Sequence, residues 1–351
     1  MKAAVLRRLG EPLSIEEHID LPLLRRGQVL VKMFYSGVCH SQLMEASGAR
    51  GADPHLPHLL GHEGTGEVVD TGEGVRKVTR GDRVVLGWIK GEGLDAGGTQ
   101  YTRHGEIINA GAVTTFNEFA VVSENRCVKL RADIPLDVGV LFGCAVPTGA
   151  GIIMNSVRPV AGSSIAILGL GGIGLCALAA TAMFQCEKII AIDIDEIKLD
   201  RARVFGATHT IDASKCGVLA QVRELTSGAG VDYSVEASGS ARNIELAFSM
   251  VRKNGGRCVF ASHPPAHERI CLDPFDLICG KHIEGSWGGS SRPDRDVPIY
   301  AESYLAGRLP LAQFLSRRYT LDQINDAMDD LSNRRVIRAL IALGESTTAE
   351  Q

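Results

Sequence analysis

The feature that most constrains this chain is Gly169-x-Gly171-x-x-Gly174, which directly follows the β-type run Ile165-Ala166-Ile167-Leu168 and opens a small-residue, helix-type run over 175–184. Each glycine has a physical task in such a turn. The first permits the tight reversal, the second lets backbone approach a pyrophosphate, and the third lets helix and strand pack closely. Alone the pattern is weak. Here the next strand, 188–192, leads into Asp193 about twenty residues further on, where a carboxylate can take ribose hydroxyls and repel a 2′-phosphate. Strand, turn, helix, strand and acid together mark a dinucleotide site formed by Gly169, Gly171, Gly172, Gly174 and Asp193, and the acid favours NAD over NADP. The competing reading is a glycine-rich packing turn with Asp193 as a helix cap.

The stretch 165–185 carries no charge over about the length that spans a bilayer, but its glycines would interrupt a spanning helix. From residue 165 onward, expected strands at 188–192, 208–211, 231–236, 257–261 and 282–285 alternate with amphipathic helices at 196–205, 218–226 and 242–253. Parallel strands need such long crossovers, so this region is expected to form a doubly wound parallel sheet. Before about residue 150 the rhythm differs. Short strands at 29–33, 66–70 and 82–86, joined by Gly, Pro and charged turns, suggest a β-rich, barrel-like unit. Helices at 296–306 and 321–333 and a final strand at 338–343 break the alternation again, and that strand is expected to return to the first unit. The fold class is therefore α/β with two domains, one of residues 1–150 and 288–351 and one of 151–287, in keeping with a length of 351 residues.

A net charge of −4 gives no electrostatic preference for polyanions, so neither nucleic acid nor an anionic membrane surface is expected as a partner. The nine cysteines include no C-x-x-C pair, which argues against a disulfide framework and against a ribbon-type zinc site. Reduced thiols and a short N-terminal apolar run set the expectation of a cytoplasmic chain.

Three segments carry metal-ligand chemistry: Cys39-His40-Ser41-Gln42, Gly61-His62-Glu63-Gly64 and Phe142-Gly143-Cys144-Ala145-Val146-Pro147-Thr148-Gly149. Two thiolates and an imidazole suit zinc, and three protein ligands leave the fourth position open, as in catalytic sites. Spacing alone leaves open the plainer reading of packed core residues.

Gly37-Val38-Cys39-His40-Ser41, Gly61-His62-Glu63-Gly64-Thr65-Gly66, Cys144 followed by Pro147-Thr148-Gly149, and the glycine turn after them together resemble the zinc-dependent medium-chain alcohol dehydrogenases over nearly the whole chain. The resemblance implies a GroES-like catalytic domain split around a Rossmann domain, with the active site in the cleft between them. It implies Cys39, His62 and Cys144 as zinc ligands and Glu63 as a carboxylate that exchanges with water at the metal. Ser41 would take the alcohol proton, His40 and Arg338 would face the pyrophosphate, Thr148 the nicotinamide, and Lys198 the adenosine ribose. Trp88 and Phe116 fall at substrate-pocket positions and Trp287 near the nicotinamide, with ordinary core aromatics as the alternative. A homodimer or homotetramer is implied as well.

Three departures from the family matter. No cysteine lies between Trp88 and Phe116, where the family commonly carries a structural-zinc lobe, so one catalytic zinc per chain is expected. Residue 42 is Gln where the family usually has an Asp that orients the histidine ligand; its amide oxygen is expected to take over that role, with zinc more acidic and more easily lost. Met44 stands where many members have a relay histidine, which leaves the proton's exit unassigned. The leading reading is an NAD- and zinc-dependent dehydrogenase of alcohols, with polyols, cyclitols and amino alcohols among the candidates. Its alternatives are a zinc-free NADPH-dependent enone or quinone reductase and a catalytically silent NAD-binding protein. For Cys127, Cys176, Cys186, Cys216, Cys258, Cys271 and Cys279 the expectation is small buried or incidental thiols.

Overall fold

The computed structural model describes residues 1–344 except Cys216 and Ala266, so the expectation for Cys216 lies outside the described residues. The chain divides into two compact units, one of Met1–Cys144, Arg292–Glu302 and Leu311–Gln351, the other of Ala145–Ser291 and Ser303–Pro310. The boundaries fall at 144/145 and 291/292, a few residues from the 150/151 and 287/288 that the sequence suggests, and residues 303–310 join the second unit.

The first unit is β-rich. Its larger sheet runs Cys127–Lys129, Arg83–Gly87, Glu63–Thr71, Gln28–Val38, Arg338–Ala342, Leu315–Thr320, with Phe119–Ser123 also paired to Gln28–Val38. A second sheet orders Ser14–Glu16, Ala3–Leu6, His58–Leu59, Glu106–Ala110 and Thr99–Arg103. Alternation explains the central strand: Val29, Val31 and Met33 point to one face and pack with Val68, Val84, Leu86 and Val122. The pairing also sets up the site. Ala339 lies opposite Val38 and Gly64 opposite Ser36, which brings Arg338, Cys39 and Glu63 to one end of three adjacent strands. The short helix α1 (His40–Ala46) begins there, immediately after Cys39.

The second unit holds six strands, β1 (Ser164–Leu168), β2 (Lys188–Asp193), β3 (His209–Asp212), β4 (Tyr233–Glu236), β5 (Arg257–Phe260) and β6 (His282–Gly285). All pairs are parallel, in the order β3-β2-β1-β4-β5-β6. This is the Rossmann doubly wound sheet. The winding reverses between β1 and β4, and a ligand crevice opens beyond the carboxyl ends of strands at such a point. The uncharged stretch at 165–185 resolves into β1, the glycine turn and helix α2 (Gly172–Ala180); among the described residues no single helix is long and apolar enough to cross a membrane.

Candidate functional site

Cys39, His62 and Cys144, far apart in sequence, converge in the first unit with their Sγ, imidazole nitrogen and Sγ atoms all within 4.8 Å of one another. Glycines make this convergence possible. Gly61, which aims His62, has φ +89°, and a Cβ there would lie 2.4 Å from Thr115 Oγ1. The chain beside Cys144 is as crowded, since a Cβ on Gly143 would lie 2.5 Å from the Leu86 carbonyl oxygen.

His62 Nε2 is buried and has no hydrogen-bond partner. A buried imidazole nitrogen left without a partner is costly in either tautomer, and a soft cation beside two sulfurs relieves that cost once the lone pair is on Nε2. The thiols agree with this. Cys39 is held well below the ordinary thiol range, first by the hydrogen bond from Cys144, then by His62 and the Arg338 charge, with burial opposing. Cys144 is pushed well above it by the same hydrogen bond and by burial. The protein alone thus favours one thiolate beside one thiol, whereas two thiolates side by side call for a cation. The residues present fit zinc.

Glu63 is fully buried and pairs with Arg338, whose Nη1 stands 2.9 Å from Glu63 Oε1 and also donates to the Val38 carbonyl at 3.1 Å. Burial alone would lower the Arg338 pKa, but the charges of Glu63, Cys39 and Cys144 outweigh it and raise it. Arg338, expected to face a pyrophosphate, is 4% exposed, with Nη1 on Glu63 and its charge beside the thiols. His40 is exposed at the start of α1 and lines an open cavity of about 570 Å³ with Met44, Ser47, Asp329 and Arg334. Ser41 Oγ lies 3.5 Å from His62 Nδ1.

Gln42 also departs from expectation. Its amide oxygen accepts the Cys39 N–H at 2.9 Å, and it is the amide nitrogen, not the oxygen, that meets His62 Nδ1. Phe116 is corrected outright: it has no exposed surface and packs in the core with Ala4, Leu6 and Leu60, because a ring of that size fills the space beside Gly61. Trp88 is half-buried just past Arg83–Gly87, its carbonyl accepting from Arg126 Nη1.

In the second unit the glycines of the turn differ in what surrounds them. Gly169 has φ +90° and lies against Ser238; a Cβ on Gly174 would lie 1.8 Å from the Gly169 carbonyl oxygen; a Cβ on Gly171 would meet nothing within 4 Å. The third glycine thus serves packing, and the second faces open space that backbone-seeking phosphate oxygens can enter. Gly172 begins α2. Asp193 ends β2, where its Oδ2 accepts the Leu170 N–H at 2.7 Å and its Oδ1 accepts the Ile194 N–H at 2.8 Å. It therefore braces the turn. Lys198 is half-buried in helix α3 (Glu196–Val204), the buried Thr148 Oγ1 has no hydrogen-bond partner, and Trp287 is 80% exposed.

Two carboxylates were missed by sequence reasoning. Glu236, fully buried at the end of β4, accepts from Ser238 N and Gly239 N and from the Ser238 and Ser262 hydroxyls, and so shapes the loop that abuts Gly169. The only sequence signal was an acid at a strand end followed by small residues. Glu124 accepts the N–H groups of Arg76, Lys77 and Leu94 and ties down the loop where a structural-zinc lobe had been sought. His58 is buried, with Nδ1 on the Leu59 carbonyl and Nε2 on Asp53.

The alcohol dehydrogenase GroES-like domain matches residues 25–132, and the zinc-binding dehydrogenase domain matches residues 172–302. Among curated proteins, the chain is 32% identical to an alcohol dehydrogenase class-3 of Myxine glutinosa, over 97% of each chain. It is 31% identical to an S-(hydroxymethyl)glutathione dehydrogenase of Escherichia coli, over 97% of this chain and 99% of the other. Among solved structures, benzyl alcohol dehydrogenase from Acinetobacter calcoaceticus superposes with a TM-score of 0.89 at 27% identity, covering 98% of this chain and 99% of that one.

Proposed function

Because the chain belongs to the zinc-type medium-chain alcohol dehydrogenases and is thus an oxidoreductase of small alcohols and carbonyls, we propose that it works with NAD and one catalytic zinc per chain. The observation that carries this reading is the buried, partnerless His62 Nε2 set among two sulfurs within 4.8 Å. A zinc-free reductase would have no use for that arrangement, and the Asp193 carboxylate repels the 2′-phosphate of NADPH.

Cys39, His62 and Cys144 would hold the zinc. When bound, zinc would supply the Lewis acidity that lowers an alcohol's pKa, and NAD would accept its hydride. The protein's own groups do the rest. Ser41, half-buried and 3.5 Å from His62 Nδ1, takes the alcohol proton. Glu63, clamped by Arg338, sets one negative and one positive charge beside the thiols, so that metal binding does not strand a net charge in the interior. Gly169, Gly171 and Gly174 receive the pyrophosphate, Asp193 and Lys198 take the adenosine ribose, and the Thr148 hydroxyl is available to the nicotinamide. Polyols, cyclitols and amino alcohols remain among the candidate substrates.

The single-zinc reading draws support from the loop at 91–98. Gly91 N–H donates to the Asn125 carbonyl at 2.8 Å, Glu92 N–H to Asp294 at 2.6 Å and Leu94 N–H to Glu124 at 2.7 Å, so carboxylates anchor it without cysteines. A homodimer or homotetramer is proposed from the exposed edge strand β6 and the apolar Phe275, Ile278 and Trp287 around it. Light scattering would test it.

An NADH absorbance assay over a panel of alcohols, run before and after chelation with metal analysis, tests the whole reading. Chelator-sensitive NAD turnover with one zinc per chain is expected. Chelator-resistant NADPH consumption on enones or quinones would establish the zinc-free reductase instead, and cofactor binding without turnover the silent protein.

A further inference from the structure

Gln42 stands between two backbone and side-chain nitrogens, and a carboxamide cannot serve both once His62 ligates a metal. Its Oε1 accepts the Cys39 N–H at 2.9 Å and its Nε2 meets His62 Nδ1, in surroundings that leave the residue 1% exposed. An amide nitrogen only donates. This arrangement therefore needs the imidazole lone pair on Nδ1 and places the ring proton on Nε2, the atom aimed between the two sulfurs.

Ligation through Nε2 demands the opposite tautomer. The ring proton must move to Nδ1, and the Nδ1–H then needs an acceptor that holds the ring in place. Turning the amide over would give it the Gln42 oxygen, but would set the Gln42 Nε2 against the Cys39 N–H, two buried donors face to face. The other oxygen within reach, Ser41 Oγ, stands 3.5 Å away, beyond a good hydrogen bond. A carboxylate at this position would accept from both nitrogens at once.

Resting on the zinc reading above, we propose that Gln42 is a positioning residue that makes the Cys39–His62–Cys144 site hold its zinc loosely, because loading breaks one of the two bonds its amide makes. The site is thereby an exchangeable one, filled and emptied as the zinc supply changes.

Gln42→Glu tests this, since it exchanges the amide for a carboxylate of the same shape; Gln42→Asp serves as a second carboxylate should the first misfold. Zinc affinity is measured by competition of stripped protein with a chromophoric chelator. The carboxylate variants are expected to bind zinc about 10–100-fold more tightly than wild type and to release it more slowly. Zinc-loaded Gln42→Glu is expected to show a slowly exchanging His62 Nδ1–H resonance that zinc-loaded wild type lacks, a signature that a merely structural role would not move. Equal or weaker zinc affinity in both variants, or the same resonance in wild type, overturns the proposal. Zinc uptake by wild type with unchanged affinity in the variants sinks this role alone; no uptake by any of the three chains sinks the zinc reading with it.

Discussion

Glu124 is the sharpest place to perturb the first unit, because a single buried carboxylate closes two loops onto its core. It is 2% exposed; Oε1 accepts from Arg76 N at 2.6 Å and Lys77 N at 2.7 Å, and Oε2 accepts from Leu94 N at 2.7 Å. In Glu124→Gln the amide oxygen can keep the Arg76 and Lys77 bonds, but the amide NH₂ then faces the Leu94 N–H. Two donors then oppose each other and at least one is stranded, at about 1–3 kcal/mol. In Glu124→Ala all three are stranded. Water reaches the loops once they open, which limits the total to about 3–6 kcal/mol, still a large share of a domain's stability. Hydrogen exchange reads this site by site. At about 1.4 kcal/mol per factor of ten, the Leu94 amide should exchange about 5–150-fold faster in Glu124→Gln while Arg76 and Lys77 change little, and all three should accelerate in Glu124→Ala.

The pH dependence has a definite sign. Burial alone would raise the Glu124 pKa, but the Leu94, Arg76 and Lys77 donors and the Lys77 charge outweigh it and hold the carboxyl below its ordinary range. The stabilisation is thus complete above the ordinary Glu range and is lost as pH falls through the depressed value. Glu124→Gln should erase that acid-side loss. Equal Leu94 exchange rates in wild type and both variants would refute the argument, and would mean that Asp294 and Asn125 hold the loop without Glu124.

The glycines of the dinucleotide turn should separate by kind. Gly174→Ala forces a Cβ to 1.8 Å from the Gly169 oxygen and should lower stability by about 1–3 kcal/mol even without cofactor, whereas Gly171→Ala, with open space at its Cβ, should leave the melting temperature unchanged and weaken NAD in titration calorimetry. Asp193→Ala removes the brace on Leu170 together with the proposed ribose acceptor, so NAD affinity should fall while discrimination against NADP narrows; an unchanged NAD-to-NADP ratio would deny it the selective role. Phe116→Ala empties a fully buried site and should destabilise by about 3–5 kcal/mol in denaturant titration, with the alcohol KM of the folded variant unaltered; a selective KM change would return Phe116 to the substrate pocket.

These contrasts also show what could be read from residues alone. The constraints on Gly169, Gly171 and Gly174 are local, set by φ, by an oxygen five residues away and by open space, so a linear pattern expresses them fully. The strand-helix alternation after residue 165 was legible for the same reason, since each period reports one element's burial. The metal trio is different in kind. Cys39, His62 and Cys144 meet only through the pairing of distant strands, and their spacing in sequence carries no trace of it; the family resemblance supplied that contact before the structure did. The burial of Arg338 and Phe116 and the direction of the Gln42 amide were not legible in the sequence because burial and donor direction are tertiary properties. No motif says whether a guanidinium turns inward to Glu63 or outward to an anion.

The glycine excess, forty residues in this chain, has a second use that follows from the same geometry. A Cβ on Gly37 would lie 2.7 Å from Glu63 Oε1, and one on Gly143 would lie 2.8 Å from Glu63 Cβ. Side chains have been removed on both flanks of Glu63, so its carboxylate fits between the strands and reaches Arg338 directly behind the thiols. Close geometry offsets part of the cost of taking both charges out of water. The Val38 carbonyl also accepts from Arg338 Nη1, and the Ser36 and Thr115 hydroxyls donate to the Glu63 main-chain carbonyl at 3.1 and 3.2 Å, which fixes the backbone from which the carboxylate projects. Glycine therefore does in the first unit what it does at the Gly169–Gly174 turn of the second: it lets other groups approach backbone more closely than any other residue allows, there a helix packed on its strand, here a carboxylate built in.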